Sequence, residues 1–290
     1  MGNSRRDPDV APAGAESRLT GADRATTYTG GMLSTPSPTT RTVRVSVLKV
    51  FAAVGVAVLA LASSVNVAQA GVSTGATAAK IEPAAGDVVG VAHPVTVTFT
   101  APVTDRQAAE KSLRVSSTST PTGEFTWLSD DVMQWTPDQF WPAHSTISVA
   151  AGGAKTSFET GAAVVGVADI DAHTFTVSID DEVVREMPAS MGKPKFPTPT
   201  GTFTALSKEP VVVMDSRTIG IPLSDPEGYK LTVNDAVRVT WGGVYVHGAP
   251  WSVGSQGYAN VSHGCINLSP DNAAWYFETV SVGDPIIVRA

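Results

Sequence analysis

The sequence predicts a mainly β protein, with a small β-sandwich over residues 79–160 followed by a second β-rich domain with few helices over residues 163–290. Two observations carry the prediction. Short apolar runs alternate with threonine and serine between turn residues along both spans, which marks strands with one buried face. Only one segment, "SPDNAAWYFETV" at 269–280, carries a helical pattern. A content of 42% hydrophobic and 16% charged residues is enough to bury a core in each domain.

Taken in order, "VTVTFTAPV" places Val95, Val97 and Phe99 on one face with threonines on the other. "EFTWLSDDVMQWTP" supplies two aromatic-rich strands around Ser129, Asp130 and Asp131, and "STISVAA" another. The sandwich has no cysteine pair, so its likeness to immunoglobulin domains is one of architecture. A short linker is expected at 161–167. The second domain opens with "HTFTVSIDDEVVREMPAS", a hairpin about Asp180 and Asp181. Strands are expected at 211–214, 230–233, 237–241 and 244–247. In the helix, Ser269 can cap, Pro270 suits the first helical position and Asp271 complements the dipole. Gly283-Asp284-Pro285 turns into a last strand, "IIVRA".

The N-terminal part differs. Residues 1–42 are rich in Ser, Thr, Pro, Gly, Ala and Arg without an apolar period and are expected to be disordered; Met32 is a second candidate start. Over 43–70, Arg44 and Lys49 precede an apolar run from Val50 to Leu61 and then Ala68-Gln69-Ala70. Basic, apolar and small-x-small segments in this order are those of a secretory signal, with Gly71 as the mature N-terminus. The alternative is a membrane anchor through residues 50–65, although a bilayer needs about 20 apolar residues. Either reading places the remainder outside the cytoplasm. From Gly71 onward there are 13 Lys and Arg against 23 Asp and Glu, which argues against nucleic acid as a partner.

Cys265 is the single cysteine of the chain. Exported proteins usually pair their cysteines, so a lone one points to intermolecular bonding or to a thiol kept free for chemistry. His247 ends the apolar strand "GGVYVHG", and His263-Gly264-Cys265 follows a loop rich in Gly, Ser and Asn. An imidazole beside a thiol raises its thiolate fraction and can protonate a leaving amine. Gly264, without a Cβ, lets backbone amides turn toward a developing oxyanion. Taken singly, the same residues also read as a small buried hydrophobe and hydrogen-bonded core histidines. A zinc site from His247, His263 and Cys265 lacks a fourth ligand, so no metal is expected.

"HGAPWSVGSQGYANVSHGCINLSP" resembles the signature of the L,D-transpeptidases, the YkuD-type family: His247, fourteen intervening residues, then Ser262 to Asn267. "FPTPTGTF" at 196–203 is similar to the family's Thr-Pro-Thr-Gly stretch, and "MDSRTIGIPLSDPEGY" at 214–229 to its substrate lid. The preceding sandwich resembles the immunoglobulin-like modules of actinobacterial members. Gly248 stands where several relatives carry serine, which is harmless if that position orients His247 through its backbone carbonyl.

The resemblance implies that Cys265 is the nucleophile and His247 the general base and acid. It implies that His263 shapes the site, and that the amides of Gly264 and Cys265 form the oxyanion hole. Tyr229 in the lid, with Gly242, Gly243 and Asn267, would contact substrate, and Trp251 and Met214 would line the pocket. The implied activity joins peptidoglycan stem peptides, a donor tetrapeptide and an acceptor amine, in 3→3 crosslinks with release of D-Ala. It requires no cofactor, and carbapenems would inhibit it. The alternatives are an L,D-carboxypeptidase using the same residues and a non-catalytic wall-binding module.

Overall fold

The computed structural model describes residues 76–118 and 122–290. The tail expected over 1–42 and the signal or anchor expected over 43–70 lie outside the described residues. Among the described residues no helix is long and apolar enough to cross a membrane.

The first module contains β1 (Ala78–Glu82), β2 (Val88–Val89), β3 (Val95–Phe99), α1 (Arg106–Ser112), β4 (Arg114–Ser116), β5 (Gly123–Trp127), β6 (Val132–Pro137), β7 (Thr146–Ala151) and β8 (Ala154–Thr160). They form two four-stranded sheets, β1-β3-β6-β5 and β2-β8-β7-β4. The alternation read in β3 holds: Val95, Val97 and Phe99 are buried with Met133, Trp135, Ile147 and Phe158 in one core. This is the sandwich the alternation predicts. Helix α1 is absent from the sequence reading. It is short, buries only Ala109 and therefore shows no apolar stripe, although Asp105 caps it by accepting from the Ala108 amide at 2.9 Å.

The second module contains β9 (Val164–Asp169), β10 (Thr174–Ile179), β11 (Glu182–Pro188), β12 (Gly201–Thr204), β13 (Ser207–Asp215), β14 (Lys230–Arg238), β15 (Tyr245–Gly248), β16 (Ile266–Leu268), α2 (Pro270–Thr279) and β17 (Pro285–Arg289). Its sheets run β11-β10-β9-β17-β12 and β13-β14-β15-β16, and α2 packs on β14 and β15. Both sheets and α2 share one core, with Phe175, Val177, Val246, Ile266, Tyr276 and Ile286 at its centre. Asp180 and Asp181 turn β10 into β11 with φ of 49° and 70°, the paired left-handed conformation of a tight hairpin. Ser269 caps α2 as expected, accepting from the Asn272 amide.

Two corrections concern continuity. Strand β9 begins at Val164, inside the expected linker. The two strands expected at 230–233 and 237–241 are one, β14, because Asn234 and Asp235 form no turn. Asp235 takes a φ of 53° and the ladder skips from Glu209↔Ala236 to Val211↔Asn234, so the polar pair marks an irregularity within a strand. Strand β13 is the outer strand of its sheet, with Val211 and Val213 exposed and Pro210 facing that irregularity.

Between the modules the backbones touch. The amides of Gly90 and Ala92 donate to the carbonyls of Val282 and Gly283 at 2.9 and 2.8 Å. A Cβ on Gly90 would fall 2.1 Å from the Asp284 nitrogen, so only glycine permits this approach.

Candidate active site

The parallel pair β15 and β16 places His247 opposite Asn267. Their neighbours Val246 and Ile266 point into the main core. Alternation along a strand therefore turns His247 and Asn267 to the opposite face, and Cys265, two residues before Asn267, to that face as well. All three line one cavity of about 260 Å³.

His247 is buried, and its Nδ1 lies 2.9 Å from the Gly248 carbonyl. A carbonyl only accepts, so Nδ1 carries the proton and Nε2 keeps its lone pair. The orientation comes from the backbone, as anticipated, and a Cβ on Gly248 would meet only ordinary contacts, the nearest at 3.5 Å. Burial lowers the His247 pKa to about 4, partly offset by that hydrogen bond.

Cys265 is half-buried, its Sγ 3.7 Å from the Gly243 carbonyl, to which the thiol donates. Burial raises its pKa to about 11. The sequence reading expected an imidazole that enriches the thiolate. The structure shows a resting pair in which burial holds both partners neutral at pH 7. In that state the thiol keeps its proton and Nε2 of His247 is unprotonated.

The cysteine loop is fastened from behind. Ser262 Oγ accepts the Gly264 amide at 3.0 Å and donates to the Cys265 carbonyl at 2.7 Å. Gly264 has a φ of 117°, a conformation that favours glycine. Its amide is thus occupied, which corrects the expectation that it stabilises an oxyanion, and the Cys265 amide is the donor that remains from that pair. Thr198, within the "FPTPTGTF" stretch, accepts the Gly192 amide and donates to the Gly264 carbonyl, each at 2.9 Å. That stretch buttresses the cysteine loop.

The lid, residues 216–229, is the connection between β13 and β14 and begins with a 3-10 turn, Ser216–Ile219. Tyr229 and Met214 line the cavity beside His263 and Trp251. The His263 ring lies between Phe196 and Tyr229, with ring centroids 4.7 and 4.9 Å away. Its Nε2 is 2.9 Å from Glu227, which also receives Lys193. Burial and the nearby Lys193 lower the His263 pKa. Asn267 lines the cavity while its amide donates to Ser252 Oγ at 3.3 Å. Gly242 and Gly243 do not line it. They form the turn between β14 and β15, and Gly243 touches the thiol only through its carbonyl. Glu227, Leu231 and Val261 also line the cavity; Glu227 and Val261 fall within the quoted lid and signature stretches without being singled out there, and Leu231 lies outside both.

A thiol and a tautomer-fixed imidazole beside a lid, on a two-module β fold, are parts that suit acyl transfer, and they point to an acyl-transfer enzyme as the class of protein. Residues 163–288 match the model of the L,D-transpeptidase catalytic domain, and residues 59–156 that of a bacterial Ig domain. L,D-transpeptidase 1 of Mycobacterium tuberculosis is 64% identical over 210 residues, covering 72% of this chain and 84% of that protein. A solved L,D-transpeptidase from Mycobacterium smegmatis is 80% identical, with a TM-score of 0.72 over 74% of this chain and 99% of that one. A solved LD transpeptidase in complex with imipenem is 63% identical, with a TM-score of 0.71 at the same coverage. The chain belongs to the L,D-transpeptidase family, and it is an acyltransferase.

Proposed function

We propose that this enzyme crosslinks peptidoglycan stem peptides 3→3 through a thioester on Cys265. The observation that carries the assignment of roles is the shared cavity of His247 and Cys265, in which the Gly248 carbonyl leaves Nε2 bare. Sγ attacks the carbonyl that joins the third stem residue, diaminopimelate, to the terminal D-Ala. As the S–C bond forms, Nε2 takes the thiol proton; as the C–N bond breaks, it gives that proton to the departing D-Ala amine. The Cys265 amide stabilises the oxyanion. An acceptor side-chain amine then attacks the thioester, losing its proton to His247, and the thiol is restored. Every step balances with side chains and substrates alone. Tyr229, Trp251, Met214 and Asn267 line the donor pocket.

Two further assignments go with this reading. The enzyme works in the cell envelope, exported by its signal segment with Gly71 as the mature N-terminus. Carbapenems inhibit it by acylating Cys265, a reading supported by the relative in complex with imipenem.

The test is incubation of residues 71–290 with a disaccharide-tetrapeptide carrying diaminopimelate, resolved by mass. Dimers lacking one D-Ala should exceed free tripeptide, and should rise at its expense as acceptor is added, because both partition from one acyl-enzyme. Cys265→Ala should give neither product. Tripeptide alone at every acceptor concentration would establish a carboxypeptidase, and binding without any product a wall-binding module.

A further inference from the structure

One carboxylate joins three separate parts of the site. Glu227 lies in the lid and lines the cavity. Its Oε2 receives the Lys193 ammonium, from the segment after β11, and Nε2–H of His263, two residues before the cysteine. A carboxylate only accepts, and both partners hold Glu227 ionised, with its pKa below the usual range. The other hydrogen bonds of the lid stay within it or reach its flank at Asp215. Ser216 and Tyr229 exchange theirs, Asp225 and Gly228 close a local turn, and Arg217 and Thr218 bond Asp215. Among the described residues, Glu227 is therefore the lid residue whose hydrogen bonds reach other elements. Beyond it the lid relies on ring contact, Tyr229 against His263.

Resting on the crosslinking reading above, we propose that Glu227 is a positioning residue that latches the lid over the thioester and thereby sets how the acyl group is divided between amine and water. The chemistry makes lid closure decisive. With an amine, an N–C bond forms, the S–C bond breaks, and the amine proton passes through His247 to the thiolate. With water an O–C bond forms instead, and the proton follows the same route. Both nucleophiles meet the same thioester and base, so their relative access sets the product ratio. A lid fixed by Glu227 at Lys193 and His263 keeps bulk water out, while an acceptor stem displaces it by binding. Lys193 is the remote anchor and His263 the anchor beside the cysteine, so one carboxylate makes lid position and His263 orientation a single device.

The test uses the ratio of crosslinked dimer to free tripeptide at fixed acceptor concentration. Loss of active enzyme lowers both products equally and leaves the ratio alone, so the readout separates positioning from damage to the fold. Glu227→Gln, which keeps the shape but not the charge, should shift the ratio toward tripeptide about five- to tenfold, and Glu227→Ala further. Lys193→Gln, which cuts one anchor and spares His263, should shift it by less than Glu227→Gln. Amide hydrogen exchange over 216–229 should quicken in the same order. An unchanged ratio in both Glu227 variants would overturn the proposal, as would a shifted ratio without faster exchange in the lid. A wild-type enzyme that forms no dimer would remove the crosslinking reading and this proposal together.

Discussion

Two buried regions hold ionisable groups away from water, and the contrast between them explains where chemistry resides. In the cavity, burial lowers His247 to about 4 and raises Cys265 to about 11. At the junction of the modules, burial raises the carboxyl of Asp284 to about 6. That carboxyl is inaccessible and accepts the Ser281 amide at 2.7 Å and the Val91 amide at 3.3 Å. Tyr276 nearby has its pKa raised by burial and a hydroxyl without a hydrogen-bond partner. Desolvation is thus common to both groups, and access is what separates them: a cavity of about 300 Å³ at the junction is lined by His93 and Gly283 but not by Asp284. In front of the thiol lies a cavity of about 260 Å³, whereas at Asp284 the backbone of Gly90 closes in until no Cβ fits. Perturbed pKa values become catalytic only where a substrate can enter.

Breaking the first region should have the largest effect. His247→Ala removes the imidazole to which the proposed function gives the base role, in a cavity whose thiol is neutral at rest. Acylation of Cys265 by a carbapenem, followed as the mass adduct, should slow by about a thousandfold, with the melting temperature little changed. A loss of only a fewfold would mean that the thiol ionises without this imidazole.

The second region should respond through stability. In Gly90→Ala the new methyl meets the Asp284 nitrogen and the Gly283 carbonyl carbon at 2.1 and 2.3 Å, so backbone must move. A loss of about 1–3 kcal/mol is expected from such overpacking, seen as a lower denaturation midpoint with activity per folded enzyme retained. The smallest effect concerns pH. A carboxyl whose folded pKa is raised binds its proton more readily when folded, so its contribution to stability falls as pH rises from about 4 to about 6. Asp284→Asn should lack that slope, and urea unfolding of both proteins at pH 4.5 and pH 7 measures it. Carboxylates with lowered pKa, such as Asp215 at about 2, act in the opposite direction at more acid pH and cancel in the comparison.

Much of this was legible in the sequence because local chemistry left a local mark. Alternation in β3 marked a buried face, the two aspartates after Ile179 marked a hairpin, and the His-Gly-Cys run with its distant histidine marked two residues that the fold brings to one cavity. The reading failed where long-range contacts overrule local pattern. Asn234 and Asp235 look like a turn yet lie within β14, because pairing on both sides holds the strand together. Gly264 looks free to serve an oxyanion, but Ser262 Oγ, two residues away, already takes its amide. Glu227 lies in the quoted lid stretch, but its bonds give no local signal, since its partners Lys193 and His263 are 34 and 36 residues away in the chain. Asp284 reads as part of a turn into the last strand, and only the fold brings Val91 to it.

The outer strand β13 has a consequence for behaviour in crowded solution. An outer strand with exposed Val211 and Val213 offers another chain a row of backbone groups to pair with, the first step toward sheet-to-sheet aggregation. Two features interrupt that template. Pro210 has no amide to donate, and opposite it Asp235 departs from extended geometry at a φ of 53°, which twists the ribbon where a straight edge would be most adhesive. The strand that carries the lid therefore keeps its hydrogen bonds for β14 and gives a second molecule a broken edge.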